Sequence, residues 1–421
     1  MSEKFSRIKG FADFFEPESL AYTHIEANGR KIFSRYGFQE LRTPILEYTA
    51  LFQRGIGTET DVVQKEMFSF MDSKGRSMSM RPEATAGVIR AAIEAGLARP
   101  GQVSRLFTWG PMFRHERPQK GRMRQFHQIN CECLGTESPY ADAELICMLL
   151  AFLKSLEIRG LTLKLNSLGC AKCRPHYHEA LRKFMAGVPR ERLCANCRRR
   201  LETNPLRLLD CKEAECRSLL QNVPHLEDHV CSDCREHFET VRLLLERRKI
   251  VYEIDHYLVR GLDYYCRTTF EVTSDDIGSQ TAVAGGGRYD GLAKQLGGDD
   301  VPGVGFACGM ERLALLMNEI SAPVPDFFVI ALDDSVRDAA FELSEDLRDA
   351  NFSGEMGWQS TSLKSQLRQA SKTGARFCII IGSDEAQEGS LTMKDMRDGV
   401  QEKVLQNRVV SWLNDKLYEN K

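Results

Sequence analysis

Phe113-Arg-His-Glu-Arg-Pro-Gln-Lys-Gly-Arg-Met-Arg-Gln-Phe-His-Gln128 is the stretch that decides the fold of this 421-residue sequence. Its two ends predict a hairpin, with Arg114 and Glu116 on one face of the first strand and Phe126 and Gln128 at the start of the return strand. The loop between them carries polar and cationic side chains: Arg117, Gln119, Lys120, Arg122 and Arg124. Guanidinium groups beside an aromatic ring suit a nucleotide, because cations bind phosphates and the ring stacks on a base. A solvated basic hairpin is the alternative.

Carboxylates follow at the ends of two predicted strands. Glu132 lies four residues after Gln128, which places both side chains on one face of the return strand. In Arg81-Pro-Glu-Ala-Thr-Ala86, a strand pattern gives way to an alanine-rich helix. Glu83 and Thr85 either hold an ammonium group together or cap the start of that helix, and the sequence does not separate the two interpretations.

The octet Leu-Val-Arg-Gly-Leu-Asp-Tyr-Tyr at 258–265 combines an arginine, a glycine and two phenols. Arg260 is a permanent cation whose planar fork suits phosphate or carboxylate. Gly261 permits a turn or a close approach to a ligand. Tyr264 and Tyr265 each offer a flat apolar wall with a polar tip. The octet therefore indicates a binding site, although a core segment leading from a strand into a turn is the plainer interpretation.

Two glycine-rich segments come next: Ala284-Gly-Gly-Gly-Arg-Tyr-Asp-Gly291 and Pro302-Gly-Val-Gly-Phe-Ala-Cys-Gly-Met-Glu-Arg312. The first allows close approach of the backbone to a ligand, and the second predicts a strand that leads into a helix. Neither segment is a Walker loop, and neither has the strict Gly-x-Gly-x-x-Gly pattern of dinucleotide-binding proteins. A nucleotide site in this chain would therefore have to be built from arginines.

The composition is that of an ordinary globular protein, with 42% hydrophobic and 28% charged residues, and the length predicts two or three domains. A net charge of −2 argues against a positive coat for nonspecific nucleic-acid binding, but it allows a local basic face. No apolar stretch approaches the roughly 18–20 residues that span a bilayer, and the N-terminus lacks the apolar core of a signal peptide. We therefore expect a cytoplasmic protein, without membrane contact, whose thiols are reduced.

Changes in pattern predict three parts of the chain. Over 1–169 and 250–320, short strands with few helices between them predict an α+β domain with a mostly antiparallel sheet. Over 170–249 helical patterns replace strands, and 17 Lys and Arg stand against 12 Asp and Glu, which predicts a helical insertion. After the proline-containing linker 321–326, alternating strands and helices over 326–421 predict a small α/β domain with a largely parallel sheet.

In their order and spacing these segments resemble the class II aminoacyl-tRNA synthetases over nearly the whole chain. Gly37–Pro44 is similar to motif one, Phe113–Glu132 to motif two, and Gly303–Arg312 to motif three. Leu258–Tyr265 and Ala284–Gly291 resemble the two signature segments that mark the histidyl-tRNA synthetases within the class. The long match at motif two is the most specific of these similarities.

This resemblance implies that the carboxylate of histidine attacks the α-phosphate of ATP, and that the activated acyl group then passes to the 3′ end of tRNA(His). It implies Arg114 and Arg260 as the catalytic pair and Mg²⁺ as the companion of ATP. The residues implied for histidine are Glu83, Thr85, Arg114, Gln128, Glu132, Arg260, Tyr264 and Tyr265. Those implied for ATP are Arg114, Glu116, Arg122, Phe126 and Arg312. Ala84 is a departure, because the family usually has glycine there.

The resemblance also implies tRNA(His) as a partner and a homodimer, since motif one usually builds a subunit interface. The residues assigned to tRNA in the hairpin loop are Arg117, Gln119 and Arg124. The insertion 170–249 would contact the acceptor arm, and 326–421 would be the anticodon-binding domain. There Lys364, Arg368 and Lys372 recur at helical four-residue spacing and form either an RNA-facing stripe or an ordinary solvated face.

Eight of the fourteen cysteines lie in the insertion, in pairs of which three have zinc-ligand spacing. The pairs are Cys170 and Cys173, Cys194 and Cys197, Cys211 and Cys216, and Cys231 and Cys234. Two Cys₄ zinc sites are one interpretation. Because the family does not generally need structural zinc, cysteines without a metal are the interpretation that the sequence favours.

Two other functions compete with this one. The regulatory subunit of ATP phosphoribosyltransferase shares the catalytic-domain fold, but it typically lacks the C-terminal domain and several of the arginines that occur here as Arg114, Arg260 and Arg312. A bare RNA-binding module has no use for a pocket formed by Glu132 and Tyr264. Histidine-dependent exchange of pyrophosphate with ATP would separate the three functions.

Overall fold

The computed structural model describes residues 4–58, 60–278, 281–359 and 361–418, and the chain divides into two compact units, Met1–Ile320 and Ser321–Lys421. The strands are β1 Gln39–Glu40, β2 Leu46–Tyr48, β3 Ser69–Met71, β4 Ser77–Met80, β5 Ser104–Phe113, β6 Gln125–Leu134, β7 Leu161–Ser167, β8 Glu253–Ile254, β9 Cys266–Ser274, β10 Ala282–Arg288, β11 Gly303–Gly309, β12 Phe327–Ala331, β13 Gly354–Met356, β14 Phe377–Ile381, β15 Ser390–Asp395 and β16 Gln401–Leu405. The helices are α1 Glu18–Arg35, α2 Thr49–Ile56, α3 Thr85–Glu94, α4 Pro139–Ser155, α5 Arg174–Met185, α6 Ala195–Thr203, α7 Ala214–Leu219, α8 Ser232–Arg247, α9 Leu292–Gln295, α10 Met310–Leu316, α11 Arg337–Asp349, α12 Leu363–Thr373, α13 Ser383–Glu388 and α14 Val409–Tyr418. Among the described residues, no helix has the length and apolar character needed to cross a membrane.

The first unit is built on an eight-stranded sheet with the order β1-β5-β6-β11-β10-β9-β7-β8. Its neighbours are antiparallel except at the two edges, where β1 pairs with β5 and β7 with β8 in parallel. The predicted antiparallel sheet is therefore confirmed. The predicted hairpin is β5 and β6, whose register ends with the pair Phe113 and Gln125. The prediction that Arg114 and Glu116 lie on the first strand is wrong, because β5 ends at Phe113 and both residues belong to the connection between the strands. A second, three-stranded sheet has the order β2-β4-β3.

Alternation along the strands divides the large sheet into an apolar face and a polar face. On β6, Ile129, Cys131 and Cys133 are buried in a core that includes side chains of α1, α4, α8 and α10. The intervening Asn130 and Glu132 point to the opposite face, because successive side chains of a strand alternate. That opposite face carries the polar side chains that the hairpin pattern predicted.

The glycine run 285–287 lies in the central strand β10, between β9 and β11. A Cβ at Gly286 would overlap the carbonyl oxygen of Gly305, and one at Gly287 would lie 2.6 Å from the carbonyl oxygen of Thr268. These two glycines serve the close packing of neighbouring strands. Of the three glycines, Gly285 lines a cleft on the polar face, and it is therefore the one whose backbone could approach a ligand.

Arg288, which follows the glycine run, lies in the interior with no exposed surface. Its guanidinium donates to the carboxylate of Asp142, with a shortest distance of 2.5 Å, and to the carbonyl oxygen of Thr136 at 2.8 Å. Nε2 of His237 also lies 3.3 Å from the Asp142 carboxylate. These partners hold the pKa of Asp142 below its ordinary value even though burial acts to raise it. Arg288 therefore joins α4 to the sheet and has no free donor group for a ligand.

The helical insertion contributes α5, α6, α7 and α8 to the first unit. Its apolar side chains share one hydrophobic core with Val259, Tyr264 and Tyr265 of the octet. The insertion therefore packs against the segment 258–265, and this packing helps to fix the conformation of that segment.

The second unit has a five-stranded sheet with the order β13-β12-β14-β15-β16. The first three strands are parallel, and β15 and β16 extend the sheet as an antiparallel hairpin. The prediction of a largely parallel sheet therefore holds for β12, β13 and β14 but not for β15 and β16. In residues 390–405, few side chains are apolar, and Leu391, Met393 and Val404 join the core of the second unit.

Candidate active site

A cleft with a volume of about 240 Å³ opens on the polar face of the large sheet. It is lined by all twelve residues predicted for the small substrates: Glu83, Thr85, Arg114, Glu116, Arg122, Phe126, Gln128, Glu132, Arg260, Tyr264, Tyr265 and Arg312. They come from the start of α3 and the residues just before it, the connection between β5 and β6, β6 itself, the segment before β9, and α10. The fold brings together in one place side chains that are distant in the sequence.

A carboxyl group surrounded by hydroxyls forms one end of the cleft. Thr85 Oγ1 donates to Oε1 of Glu132 at 2.7 Å, and the phenol of Tyr289 donates to Oε2 at 2.6 Å. Burial raises the pKa of Glu132 to about 8, and the two hydrogen bonds only partly oppose this. The Tyr264 ring packs edge-on against Tyr289, with 5.8 Å between ring centroids. This end can therefore exchange a proton with a ligand near neutral pH.

Gly305 makes room for that carboxyl group, since a Cβ there would overlap Oε2 of Glu132. Tyr289 was predicted only as part of a segment near a ligand, and its hydrogen bond to Glu132 joins residues 157 positions apart. No local pattern shows such a pairing. The glycine in β11 and the phenol after β10 together define the position of Glu132.

Glu83 caps helix α3, which was one of the two interpretations of Arg81–Ala86. Its carboxylate accepts from the amide nitrogen of Thr85 at 2.7 Å and from that of Ala86 at 2.9 Å. Burial raises the pKa of Glu83, while these amide hydrogen bonds oppose the increase. Because Glu83 also lines the cleft, capping does not exclude contact with an ammonium group.

Arg260 lies along the floor of the cleft. Its Nη1 donates to Oε2 of Glu271 on β9 at 2.6 Å, and its guanidinium carbon lies 5.8 Å from the centroid of the Tyr265 ring. A Cβ at Gly285 would overlap the guanidinium, so the absence of a side chain there lets Arg260 lie flat on β10. Glu271 was not predicted; the only signal in the sequence was a carboxylate between the apolar residues Phe270 and Val272 of a predicted strand.

The opposite end of the cleft contains three arginines and a glutamate. Arg122 forms an ion pair with Glu116, and Nη1 of Arg114 lies 4.0 Å from the same carboxylate. Arg114 also lies over Phe126, with 5.3 Å from its guanidinium carbon to the ring centroid. Arg312 donates to the carbonyl oxygen of Ala282 at 2.5 Å. Cations and one exposed ring face thus stand around the same space, as a nucleotide requires.

A further carboxyl group, Glu66, stands beside Glu116 and was not predicted. Burial, and then the negative charge of Glu116, raise the pKa of Glu66 to about 7. Two carboxyl groups in contact share a proton more readily than they ionise together. A cation bound there would relieve this repulsion.

Several buried polar atoms of the cleft form no hydrogen bond. Within the described part of the chain, Oε1 of Gln128, Oδ1 of Asn130 and Nε of Arg260 are buried and form no hydrogen bond. Such atoms are costly to bury without partners. Their convergence on one cleft indicates that a polar ligand belongs there.

Comparison with known proteins agrees with the geometry. The family model for histidyl-tRNA synthetase matches residues 10–313. The histidine–tRNA ligase of Nitratidesulfovibrio vulgaris strain DP4 is 58% identical over 410 residues, which is 97% of this chain and 98% of that protein. The chain belongs to the histidyl-tRNA synthetase family.

Other members of the histidyl-tRNA synthetase family support the fold over the full length. The histidine–tRNA ligase of Oleidesulfovibrio alaskensis is 58% identical over 94% of this chain and 95% of its own. The crystal structure of apo S. aureus histidyl-tRNA synthetase superposes with a TM-score of 0.81 at 32% identity, covering 97% of this chain and all of that one. An anticodon binding domain model matches residues 326–416. The predicted class II synthetase fold with a C-terminal anticodon-binding domain is confirmed.

The family departure at Ala84 has a simple structural basis. Ala84 is buried, but its φ of −98° and ψ of −28° lie in the right-handed region that any residue adopts. A glycine is therefore not required by the backbone here. The methyl group leaves Glu83 and Thr85 in the cleft.

The residues predicted to contact tRNA lie outside the cleft lining. Arg117 and Gln119 are exposed in the hairpin loop, whereas Arg124 is half-buried and its Nε donates to the carbonyl oxygen of Glu116 at 3.2 Å. In the second unit, Lys364 and Arg368 are exposed on α12, as is Lys372. Arg124 has the weaker position for an RNA contact, because its guanidinium already has a partner.

Proposed function

We propose that this member of the histidyl-tRNA synthetase family joins L-histidine to tRNA(His) in two steps, with ATP as the source of energy. The observation that carries the proposal is one cleft with a carboxyl–phenol end and an arginine-lined end. We assign 1–169 and 250–320 to the catalytic domain, 170–249 to the insertion and 326–421 to the anticodon-binding domain. Such an enzyme acts in the cytoplasm, where ribosomal protein synthesis uses charged tRNA.

The carboxyl–phenol end would hold histidine. Imidazole has two different ring nitrogens, and Glu132 and Tyr264 provide an acceptor and a donor for them. Tyr265 would form the wall of the pocket. The α-ammonium group would meet Glu83 and the free Oε1 of Gln128, together with the hydroxyl of Thr85. This arrangement favours a flat ligand that carries both a donor and an acceptor.

The arginine-lined end would hold ATP. Arg114 and Arg260 would bind the α-phosphate from two sides, and Phe126 would stack on adenine, with Arg312 over the other face of the base. Arg122 and Arg312 would also reach the terminal phosphates. Glu116, with the adjacent Glu66, has the carboxylate oxygens that Mg²⁺ prefers, and burial together with the negative charge of Glu116 raises the pKa of Glu66. Mg²⁺ would neutralise charge on the leaving pyrophosphate.

Catalysis by this site would come from positioning and electrostatics. The carboxylate of histidine attacks the α-phosphorus and pyrophosphate leaves, so that no protein nucleophile is required. Negative charge grows on the α-phosphate oxygens in the transition state, where Arg114 and Arg260 stand fixed. In the second step a ribose hydroxyl of tRNA attacks the acyl carbon of the adenylate and AMP leaves.

Pyrophosphate exchange tests the function as a whole. Labelled pyrophosphate should enter ATP only when histidine is present, because the first step is reversible. Exchange without histidine, or with another amino acid in its place, would contradict the proposal. A non-catalytic regulator or a bare RNA-binding module would show no exchange at all.

Gly285→Ala is expected to lower the rate of this exchange by about 10²-fold, since the added methyl would displace the Arg260 guanidinium and small misplacements of reacting groups have effects of that order. Gly187→Ala is the matched control, because Gly187 is exposed and a methyl group there would approach only one backbone oxygen, at 3.6 Å. Steady-state exchange assays and thermal unfolding of both variants measure the effect. A normal rate in folded Gly285→Ala would show that the position of Arg260 is unimportant.

The exposed stripe on α12 is proposed to bind tRNA. Changing Lys364, Arg368 and Lys372 together to Glu is expected to raise the KM for tRNA about tenfold or more, because attraction to phosphates becomes repulsion. Pyrophosphate exchange should stay unchanged, since the small-substrate cleft lies in the other unit. Arg408→Glu, an exposed cation of the same unit, is the control. An unchanged KM for tRNA would leave the stripe as a solvated face.

We also propose that the protein forms a homodimer through the segment that resembles motif one and the small sheet beside it. Large apolar side chains are exposed on that sheet: Leu46, Tyr48, Phe70 and Met71, with exposed fractions from 40% to 63%. A group of this kind on a three-stranded sheet is typical of a surface that another subunit covers.

A further inference from the structure

Eight cysteines of the insertion form two compact groups. One group comprises Cys170, Cys173, Cys231 and Cys234, and the other comprises Cys194, Cys197, Cys211 and Cys216. Within each group all four sulfur atoms lie within 4.8 Å of one another. Among the described residues these are the only such groups of His, Cys, Asp or Glu, although six more cysteines occur elsewhere in the chain.

The sulfur separations have the size expected around a single ion. Sγ of Cys170 lies 3.6 Å from that of Cys173, which lies 3.9 Å from Sγ of Cys234. In the second group, Sγ of Cys194 lies 3.9 Å from that of Cys211. Four thiolates bound tetrahedrally to Zn²⁺ at ~2.3 Å have sulfur atoms ~3.8 Å apart. A disulfide would need ~2.05 Å, and so these distances favour a shared metal.

Backbone amides point at several of the sulfur atoms. The amide nitrogen of Cys231 donates to Sγ of Cys173 at 3.1 Å, and that of Cys194 donates to Sγ of Cys216 at 3.2 Å. The amide of Cys197 donates to Sγ of Cys194 at 3.4 Å. Such hydrogen bonds stabilise thiolate ligands and orient them toward an ion. The chain thus supplies the second layer of interactions that metal ligands require.

We propose that the insertion contains two structural Zn²⁺ centres, each bound by four cysteines. With four protein ligands and no open position, each centre is closed and has no catalytic role. Zn²⁺ suits the sites because tetrahedral thiolate sets bind it without redox chemistry. The structure therefore favours the interpretation that the sequence alone placed second.

The two centres are nested along the chain. The outer centre joins Cys170 and Cys173, where the insertion begins, to Cys231 and Cys234, where its last helix α8 starts. The inner centre closes the segment 194–216 inside it. Each ion would tie together chain segments that would otherwise be held by a small core, which is how structural zinc stabilises short helical regions.

Residues beside both centres hold the octet 258–265. Arg174, next to Cys173, donates to the carbonyl oxygen of Tyr265. Between the two pairs of the inner centre, Nη1 of Arg207 donates to the carbonyl oxygen of Gly261 at 2.7 Å, and Asn204 donates to Asp263 at 3.0 Å. The metal centres would thus position the segment that carries Arg260 and Tyr264.

Metal analysis of the full-length wild-type protein, purified under reducing conditions without added metal, tests the proposal. Elemental mass spectrometry should find two zinc ions per chain, and a mercurial reagent that titrates the eight thiols should release both ions. Cobalt substitution should give the absorption of tetrahedral Co²⁺ bound to thiolates. Absence of bound metal, iron in place of zinc, or disulfides among these cysteines would overturn the proposal.

Variants assign the two centres separately. Cys197→Ser should lose one zinc ion, and Cys197→Ser combined with Cys173→Ser should lose both. Cys147→Ser is the control and should keep both, because Cys147 lies on α4 outside the groups. Should a variant fail to fold, the wild-type stoichiometry still decides the matter. Folded variants that keep two zinc ions would show that the ions bind elsewhere.

Discussion

Arg260→Ala is expected to lower the rate of histidine-dependent ATP–pyrophosphate exchange by about 10²–10³-fold, the range seen when one fixed donor to a developing negative charge is removed. Arg260 is held by Glu271 at 2.6 Å and lies against Tyr265, so its guanidinium is in place before substrate binds. The variant loses both the charge and its position. The loss should appear mainly in kcat, because the charge on the α-phosphate grows in the transition state.

Two further variants separate the role of the Arg260 guanidinium from a general effect of losing an arginine. Arg260→Lys keeps the charge but not the planar fork, and it should recover only part of the rate. Arg159→Ala removes an exposed arginine outside the cleft lining of the same unit, and it should leave exchange unchanged. Thermal unfolding shows whether each variant is folded. Near-normal exchange in folded Arg260→Ala would remove Arg260 from the mechanism.

The pH dependence of histidine binding is expected to be bell-shaped, with its strongest region between about 6.5 and 8. Burial raises the pKa of Glu132 to about 8, so the free protein carries a proton there at neutral pH. Free imidazole has an ordinary pKa of about 6.5. We expect the Glu132 carboxyl and the bound imidazole to share one proton. Below about pH 6.5 free histidine is protonated and must release a proton to bind, and above about pH 8 the pair must take one up, so that binding weakens on both sides.

Glu132→Gln should abolish the limb near pH 8 and lower kcat/KM for histidine by about 10- to 100-fold, since a hydrogen bond to a charged group contributes ~1.5–3 kcal/mol. Tyr289→Phe is the informative companion. Its hydroxyl donates to Glu132 and lowers the pKa of that carboxyl, so removing it should move the limb to higher pH. The pH profile of KM in pyrophosphate exchange measures both. A profile in Glu132→Gln identical to that of the wild type would exclude Glu132 as the partner of imidazole.

Much of the cleft could be predicted because its residues obey local rules. Gln128 and Glu132 share a face through the period of a strand, and both lie on β6, the predicted return strand of the hairpin. Glu271 and Glu66 escaped prediction, because a single carboxyl in a strand and another at the end of a short helical turn look like ordinary surface charges. The ion pair of Arg288 with Asp142 was not predicted either, because the partner of a strand residue on a distant helix leaves no local pattern.

The sequence by itself indicated the class of fold, because strand alternation and turn chemistry depend on near neighbours. The resemblance of its motifs to those of the class II synthetases implied which residues line the cleft. Only the tertiary structure decided which distant groups meet. It brings Thr85 and Tyr289 to Glu132 across 47 and 157 positions, and burial there changes the pKa of the carboxyl. It also selects one of three ways to combine four cysteine pairs. Contacts and desolvation of this kind follow from the path of the whole chain through space.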